Sequence, residues 1–290
     1  MASTHQLRTV SFSAGILFLL FSMISTQFGS AEAKILIAEV SPQAAAALRL
    51  AAATAELFAF MRPWRNMPTR DAWKSILAYG ITIAAMNNCY YKGLTLMPLG
   101  LVTAIEFTGP LLVAACTSRG LRDLAAVGLA AAGIIMILPL GGAAEHVSWE
   151  GVFWSVMAAA GWAGYILFGR KAAAHGPSSA AWGLLAACAA AVPWALATSP
   201  EGTLAAAASW HVALLALIVG LTASALPYWL DMLALRAVPT GVYGVLMSLE
   251  PALGTMFGAL LLGEWLTLTQ HAAIAAVIAA SLLVSVGRRK

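Results

Sequence analysis

The sequence is poor in charge. Lys and Arg number 16 and Asp and Glu 12 in 290 residues, 10% in all, where a soluble domain carries about 25%. That scarcity excludes an ordinary water-soluble globule. Cysteine is scarcer still. Cys89, Cys116 and Cys188 each fall inside an apolar run, and their odd number reads as small packing residues rather than a disulfide framework. The histidines His5, His146, His175, His211 and His271 stand at ends or loops, never as a cluster. No HExxH, paired CxxC, P-loop or GxSxG pattern occurs, so no metal, no cofactor and no enzymatic centre are expected. An ATP-driven pump needs a soluble nucleotide domain, and the short connections hold none. The net charge of +4 sits in short clusters between apolar runs, which points to anchoring in a lipid bilayer and not to nucleic acid.

Apolar residues make up 61% of the chain, with a mean hydropathy of +0.85. Runs of about 20 residues cross a ~30 Å hydrocarbon core. Ten are expected, at 10–29, 41–61, 73–95, 99–117, 123–140, 149–169, 179–198, 210–230, 241–262 and 267–287. The first resembles a signal peptide, with His5 and Arg8 before it and Gly-Ser-Ala-Glu-Ala at 29–33 after it. Its apolar stretch is long for that role, and removal would leave nine runs, so it is expected to stay as a span.

With the N-terminus in the cytoplasm, the inner connections hold thirteen of the sixteen basic residues. They are Arg8; Arg62, Arg65, Arg70 and Lys74; Arg119 and Arg122; Arg170 and Lys171; Arg236; and Arg288, Arg289 and Lys290. Outer segments carry Lys34 and Lys92 with Glu32, Glu39, Glu145, Glu150, Glu201 and Glu264. This bias places both termini inside. Trp149, Trp210 and Trp265 at outer ends, and Trp64 and Trp73 at inner ends, fit interfacial belts.

A repeat is visible. Pro98/Pro239, Gly100/Gly241 and Pro110/Pro251 share one offset of 141 residues. Five spans separate the copies, so the second half enters from the opposite side. The expected fold is all-α, ten transmembrane helices as two inverted five-helix repeats, 1–146 and 147–290. Carriers of this design place their site at the repeat interface near the midplane. Such a bundle encloses its own cavity, so a monomer is expected. Gly254-x-x-x-Gly258 and the many alanines allow close helix approach.

Polar residues inside the bilayer single out the site. In YGVLMSLEP, Tyr243–Pro251, Glu250 stands mid-span and is followed at once by Pro251. An ionised carboxylate at that depth costs at least ~2.5–3.5 kcal/mol. Proline kinks the span and frees a carbonyl at the same depth. AIEFTGP, Ala104–Pro110, repeats the theme with Glu106 and Pro110. Arg49 is ~12 Å and Glu106 ~10 Å below the outer surface, and Asn87 reaches a similar depth. Arg49 and Glu106 therefore read either as a static ion pair or as a substrate anchor and outer gate. Glu250 reads either as a hydrogen-bonded acid between helices or as a proton carrier. Tyr90, Tyr91, Trp162, Tyr165 and Tyr228 are candidates to line a cavity and meet an ammonium group. Pro227 marks a kink beside Tyr228. Glu56 and Asp231 lie near cytoplasmic ends, Asp231 within reach of Arg236, and Lys92 snorkels at the outer end of its span.

At these residues the chain resembles the EamA-type carriers of the drug/metabolite transporter superfamily. The matching stretches are Ala47-Leu-Arg-Leu50, Met86-Asn87, Met97-Pro-Leu-Gly100, Ile105-Glu-Phe-Thr-Gly-Pro110, Ala225-Leu-Pro-Tyr228, Leu246-Met-Ser-Leu-Glu-Pro-Ala-Leu253 and Leu262-Gly-Glu264. The resemblance covers essentially the whole chain. It implies a carrier of the bacterial inner membrane that exports small amino acids such as threonine and homoserine by alternating access, with Arg49, Asn87, Glu106, Tyr228 and Glu250 in the cavity. Glu250 and Glu106 are the expected proton-coupling groups. Asp231 keeps an acid, one methylene shorter than the glutamate the resemblance leads one to expect. Lys92 and Glu56 add charge at the two mouths. The same architecture also serves cargo such as purines, drugs or amino-acid analogues, in either direction.

Overall fold

The computed structural model describes residues 11–65, 67–116, 121–138, 147–176, 178–201, 203 and 208–287. They form helices and connections, with no strand among them. In chain order the helices are α1 (Phe12–Glu39), α2 (Pro42–Met61), α3 (Arg70–Leu94), α4 (Leu99–Glu106), α5 (Thr108–Cys116), α6 (Leu121–Ile137), α7 (Trp149–Ala173), α8 (Ser179–Thr198), α9 (Trp210–Gly220), α10 (Leu226–Ala237), α11 (Thr240–Met247), α12 (Glu250–Leu262) and α13 (Leu268–Gly287). A π-helical turn, Leu221–Ala225, joins α9 to α10. Among the described residues, five stretches are long and apolar enough to cross a membrane: Phe12–Glu39, Pro42–Met61, Trp149–Ala173, Ser179–Thr198 and Trp210–Asp231.

Local chemistry explains the helix starts. Ser11, Ser41 and Ser148 accept from the amides of Ala14, Ala44 and Gly151 at 3.2, 3.2 and 2.9 Å, satisfying donors that the first turn leaves free. Pro42 follows Ser41, where its missing N–H costs nothing. Thr267 and Gln270 cap α13 reciprocally, a capping box. The first helix differs from expectation. It runs to Glu39 rather than ending at 29, so Gly29–Ala33 is helical, with Gly29, Ser30, Ala31 and Ala33 buried.

Prolines set the breaks. Pro110 has no N–H for the carbonyl of Glu106, and α4 stops at Glu106. Pro251 has none for Met247, and α11 stops at Met247. The two short helices, Leu99–Glu106 and Thr240–Met247, coincide at the 141-residue offset read from the sequence. Packing follows the same relation. α3 packs on α7 and α8, while α10 packs on α1 and α9 on α2; these are the same contacts with the halves exchanged. α4 meets α12, and α6 meets α13.

The molecule is apolar outside, and its apolar interior holds a few polar side chains. Phe21, Leu124 and Leu260 are 62%, 70% and 70% exposed, whereas Arg49, Asn87, Glu106 and Glu250 are 5%, 1%, 7% and 5% exposed. Large exposed apolar side chains suit a hydrocarbon solvent.

The α4–α12 seam is tight. A Cβ on Gly100 would come within 2.8 Å of Thr255 Cα, and one on Gly254 within 3.1 Å of Thr103 Oγ1 and 3.0 Å of Gln27 Oε1 from α1. Small residues here permit an approach that van der Waals contact alone must hold. Gly100→Val is expected to destabilise the fold by about 1–3 kcal/mol through overpacking. Thermal unfolding in detergent checks this, and an unchanged midpoint would mean the seam is loose.

Candidate functional site

The site grows from the break in the α9–α10 column. Pro227 cannot donate to the carbonyl of Ala223, and the backbone there widens into a π turn in which Leu226 N bonds Leu221 O. The released Ala223 carbonyl accepts from Arg49 Nη2 at 2.6 Å. Arg49 Nε donates to Ser224 Oγ at 2.9 Å. Arg49 Nη1 donates to Asn87 Oδ1 and, at 3.4 Å, to the hydroxyl of Tyr91. Its guanidinium lies 5.5 Å from the Tyr91 ring centroid. Asn87 is itself oriented by its amide donating to Ile83 O at 2.8 Å. One cation thus ties α2 to α3 and to the π turn, and every partner is neutral.

The acids stand apart from this fork. Glu106 ends α4 and Glu250 begins α12. Neither makes a hydrogen bond or ion pair among the described residues. Glu106 is within the electrostatic reach of Arg49, and Glu250 within that of Glu106 and Asp231. The sequence left open a static Arg49–Glu106 ion pair; Arg49 instead bonds the neutral groups above. Asp231 lies beside Ser22, and its Oδ1 is buried without a partner among the described residues. The side chain of Arg236, expected near it, lies outside the described residues. Glu56 Oε2 is also buried without a described partner. Lys92 pairs with Glu150 at 3.5 Å.

Aromatic rings pack on one another between these helices. Tyr228 stacks on Tyr165 at 6.1 Å, and Tyr165 meets Tyr79 at 5.1 Å. Tyr90 bonds Thr103 Oγ1 at 3.2 Å. Trp162 packs edge-on against Phe107 at the α4–α5 break. Sequence reasoning missed Ser224, Tyr79 and the Ala223 carbonyl. Pro227, four residues on, was the available signal for the carbonyl.

The model of the EamA-like transporter family matches residues 13–138 and again 149–286. This chain belongs to the EamA-like transporter family. The threonine/homoserine exporter RhtA of Escherichia coli (strain K12) is 43% identical over 271 residues, covering 92% of this chain and 90% of that protein. The exporter of the same name from Salmonella typhimurium (strain SL1344) is 42% identical over 270 residues, with 92% and 90% covered. A crystal structure of a protein 17% identical in sequence superposes with a TM-score of 0.66, covering 96% of this chain and 98% of that one; it speaks for the fold alone. This EamA-family chain is therefore a membrane transporter, and Arg49, Glu106 and Glu250 are charged-type side chains buried inside it.

Proposed function

We propose that this chain exports small zwitterionic amino acids, threonine and homoserine among them, across the bacterial inner membrane in exchange for protons. The observation that carries this is charge complementarity. A buried cation held only by neutral groups, and two buried carboxyls without described partners, face a cargo that brings one carboxylate and one ammonium. The curated relatives named for threonine and homoserine export support the cargo class.

In this reading ten spans form two inverted repeats, 1–146 and 147–290, with both termini cytoplasmic and the glutamate-rich helix ends outside. Arg49 receives the cargo carboxylate by giving up Asn87 and Tyr91, and keeps its bonds to the π turn. Glu106 faces the ammonium. Glu250 takes up the proton as cargo leaves, and the halves rock about the α6–α13 contact. Tyr228 lines the cargo site beside Arg49. The chain works as a monomer.

The test is flux of radiolabelled threonine in proteoliposomes under an imposed pH gradient, with homoserine and a purine nucleoside as competitors. Threonine accumulation competed by homoserine and not by the nucleoside is the expected result. Competition by the nucleoside alone would move the cargo to another metabolite class and leave the fold standing.

A further inference from the structure

Among the described residues, two ion pairs and one histidine–carboxylate contact bridge the glutamate-rich end, and each links a residue before 147 to one after it. They are Lys34–Glu264, Lys92–Glu150 and Glu39–His211. At the opposite end Arg62, Arg65, Arg70, Lys74, Arg170 and Lys171 make no ion pair among the described residues. The two outlying pairs are half-exposed at 3.5 and 3.2 Å, where water screens them and they hold little. Lys34 and Glu264 are different, with side chains only 23% and 16% exposed.

Their geometry is built by the chain. Gly263 adopts a left-handed φ of 67° at the end of α12, and Glu264 N closes the turn on Gly258 O at 3.0 Å. That turn aims Glu264 at the start of α4. Pro98 leaves α4 without a side-chain cap, and Glu264 Oε2 accepts from Leu99 N at 2.7 Å. An anion at a helix start is favoured. Lys34, on α1, bonds Glu264 and also the Met97 carbonyl at 2.8 Å. One clasp therefore closes α1, α4 and α12 together.

Beneath it, the α4–α12 seam descends to the acids. Gly258 lies against Leu99, then Gly100 against Thr255, then Gly254 against Thr103. Glu106 follows Thr103 by three residues on α4, and Glu250 precedes Gly254 by four on α12, so both acids share faces with this third layer. Gln27 of α1 reaches into that layer, and its Oε1 is buried without a partner among the described residues. A buried acceptor without a partner is costly, so its place between acids and clasp points to a polar traveller.

We propose that the Lys34–Glu264 clasp is the outer gate, that cargo leaves along the α1–α4–α12 seam, and that Gln27 hands it on. This deepens the exporter reading and rests on it. Cargo leaving Glu106 meets Gln27 one turn outward, and the clasp parts to release it.

Thr255, half-buried in the seam below the clasp, serves as the reporter. Thr255→Cys is placed in a chain whose Cys89, Cys116 and Cys188 are replaced by alanine. Right-side-out vesicles are exposed to a membrane-impermeant maleimide. Labelling is expected to be slow with the clasp intact. It rises about tenfold with Lys34→Ala or Glu264→Gln, a tenfold shift in the open population, and stays slow with Lys34→Arg. A second reporter, Thr54→Cys, stays slow throughout. Unchanged labelling at Thr255→Cys would overturn the gate, and so would an equal rise at Thr54→Cys, which means general loosening. Because labelling needs no cargo, a failure of threonine flux would sink the exporter reading without touching this result.

Discussion

Glu250→Gln is expected to abolish threonine accumulation driven by a pH gradient, at least tenfold below the parent, while the protein still folds and still binds cargo. The substitution keeps the shape of the side chain and its capacity to donate a hydrogen bond. It removes the exchangeable proton. Glu250 is 5% exposed at the first turn of α12, immediately before Pro251. No cation among the described residues pairs with it. A carboxylate in such a place needs water, a proton or a cargo ammonium to offset its desolvation. Release of that proton as cargo binds, and its return as cargo leaves, couple the two fluxes. Glutamine carries no titrating proton, so the coupling goes; Arg49 and Glu106 still meet the cargo, so the binding stays. The measurement is paired: gradient-driven uptake, and exchange of labelled for unlabelled threonine with no gradient. Loss of the first with retention of the second is the expected pattern. Gradient-driven flux at the parental rate would remove Glu250 from the proton path and leave Glu106 and Asp231, both within its electrostatic reach, as the candidates.

The sequence announces some of this architecture and conceals the rest for physical reasons. The breaks at Glu106 and Met247 are legible because proline deletes a particular hydrogen bond, and the deletion can be counted from Pro110 and Pro251 without a structure. Counting residues puts Arg49, Asn87 and Glu106 at one depth, but depth alone pairs Arg49 with Glu106 as readily as with Asn87, and only the structure shows that Asn87 receives the guanidinium. The Ala223 carbonyl is harder to see. Backbone groups carry no residue label, and an Ala-Ser-Ala stretch in an apolar helix advertises nothing. The Lys34–Glu264 clasp is hidden by a sequence separation of 230 between its partners and by the position of Lys34. Read as part of an outer loop, Lys34 belongs with the solvent; within a helix that continues to Glu39, it faces α12. Glutamates and a lysine after residue 29 resembled the end of a span, yet Glu32, Lys34 and Glu39 are helical, and the helix simply outruns the hydrocarbon by length.

Arg49 is expected to be the most sensitive single position, and the manner of its failure tests how the site is built. Arg49→Met leaves Ala223 O without its 2.6 Å donor and strips Ser224 and Asn87 of theirs. Each buried polar group left unpaired costs about 1–3 kcal/mol. Asn87 still donates to Ile83, so a net loss of about 3 kcal/mol is expected. Thermal unfolding in detergent should fall by several degrees and transport should vanish. Arg49→Lys separates fold from function. It keeps the charge, but a single ammonium cannot fork between Asn87 and Tyr91 on α3 and the π turn of the α9–α10 column. Stability should fall less than in Arg49→Met, while the KM for threonine rises by more than tenfold. Pro227→Ala completes the argument from the other side. It returns the amide that Ala223 O would accept in a regular helix, and the helix competes with Arg49 for that carbonyl. Transport should drop although the helix has gained a hydrogen bond, with the melting temperature held or raised. If Pro227→Ala lowered stability and left threonine KM untouched, the π turn would be a packing adjustment and Arg49 would hold its cargo without it.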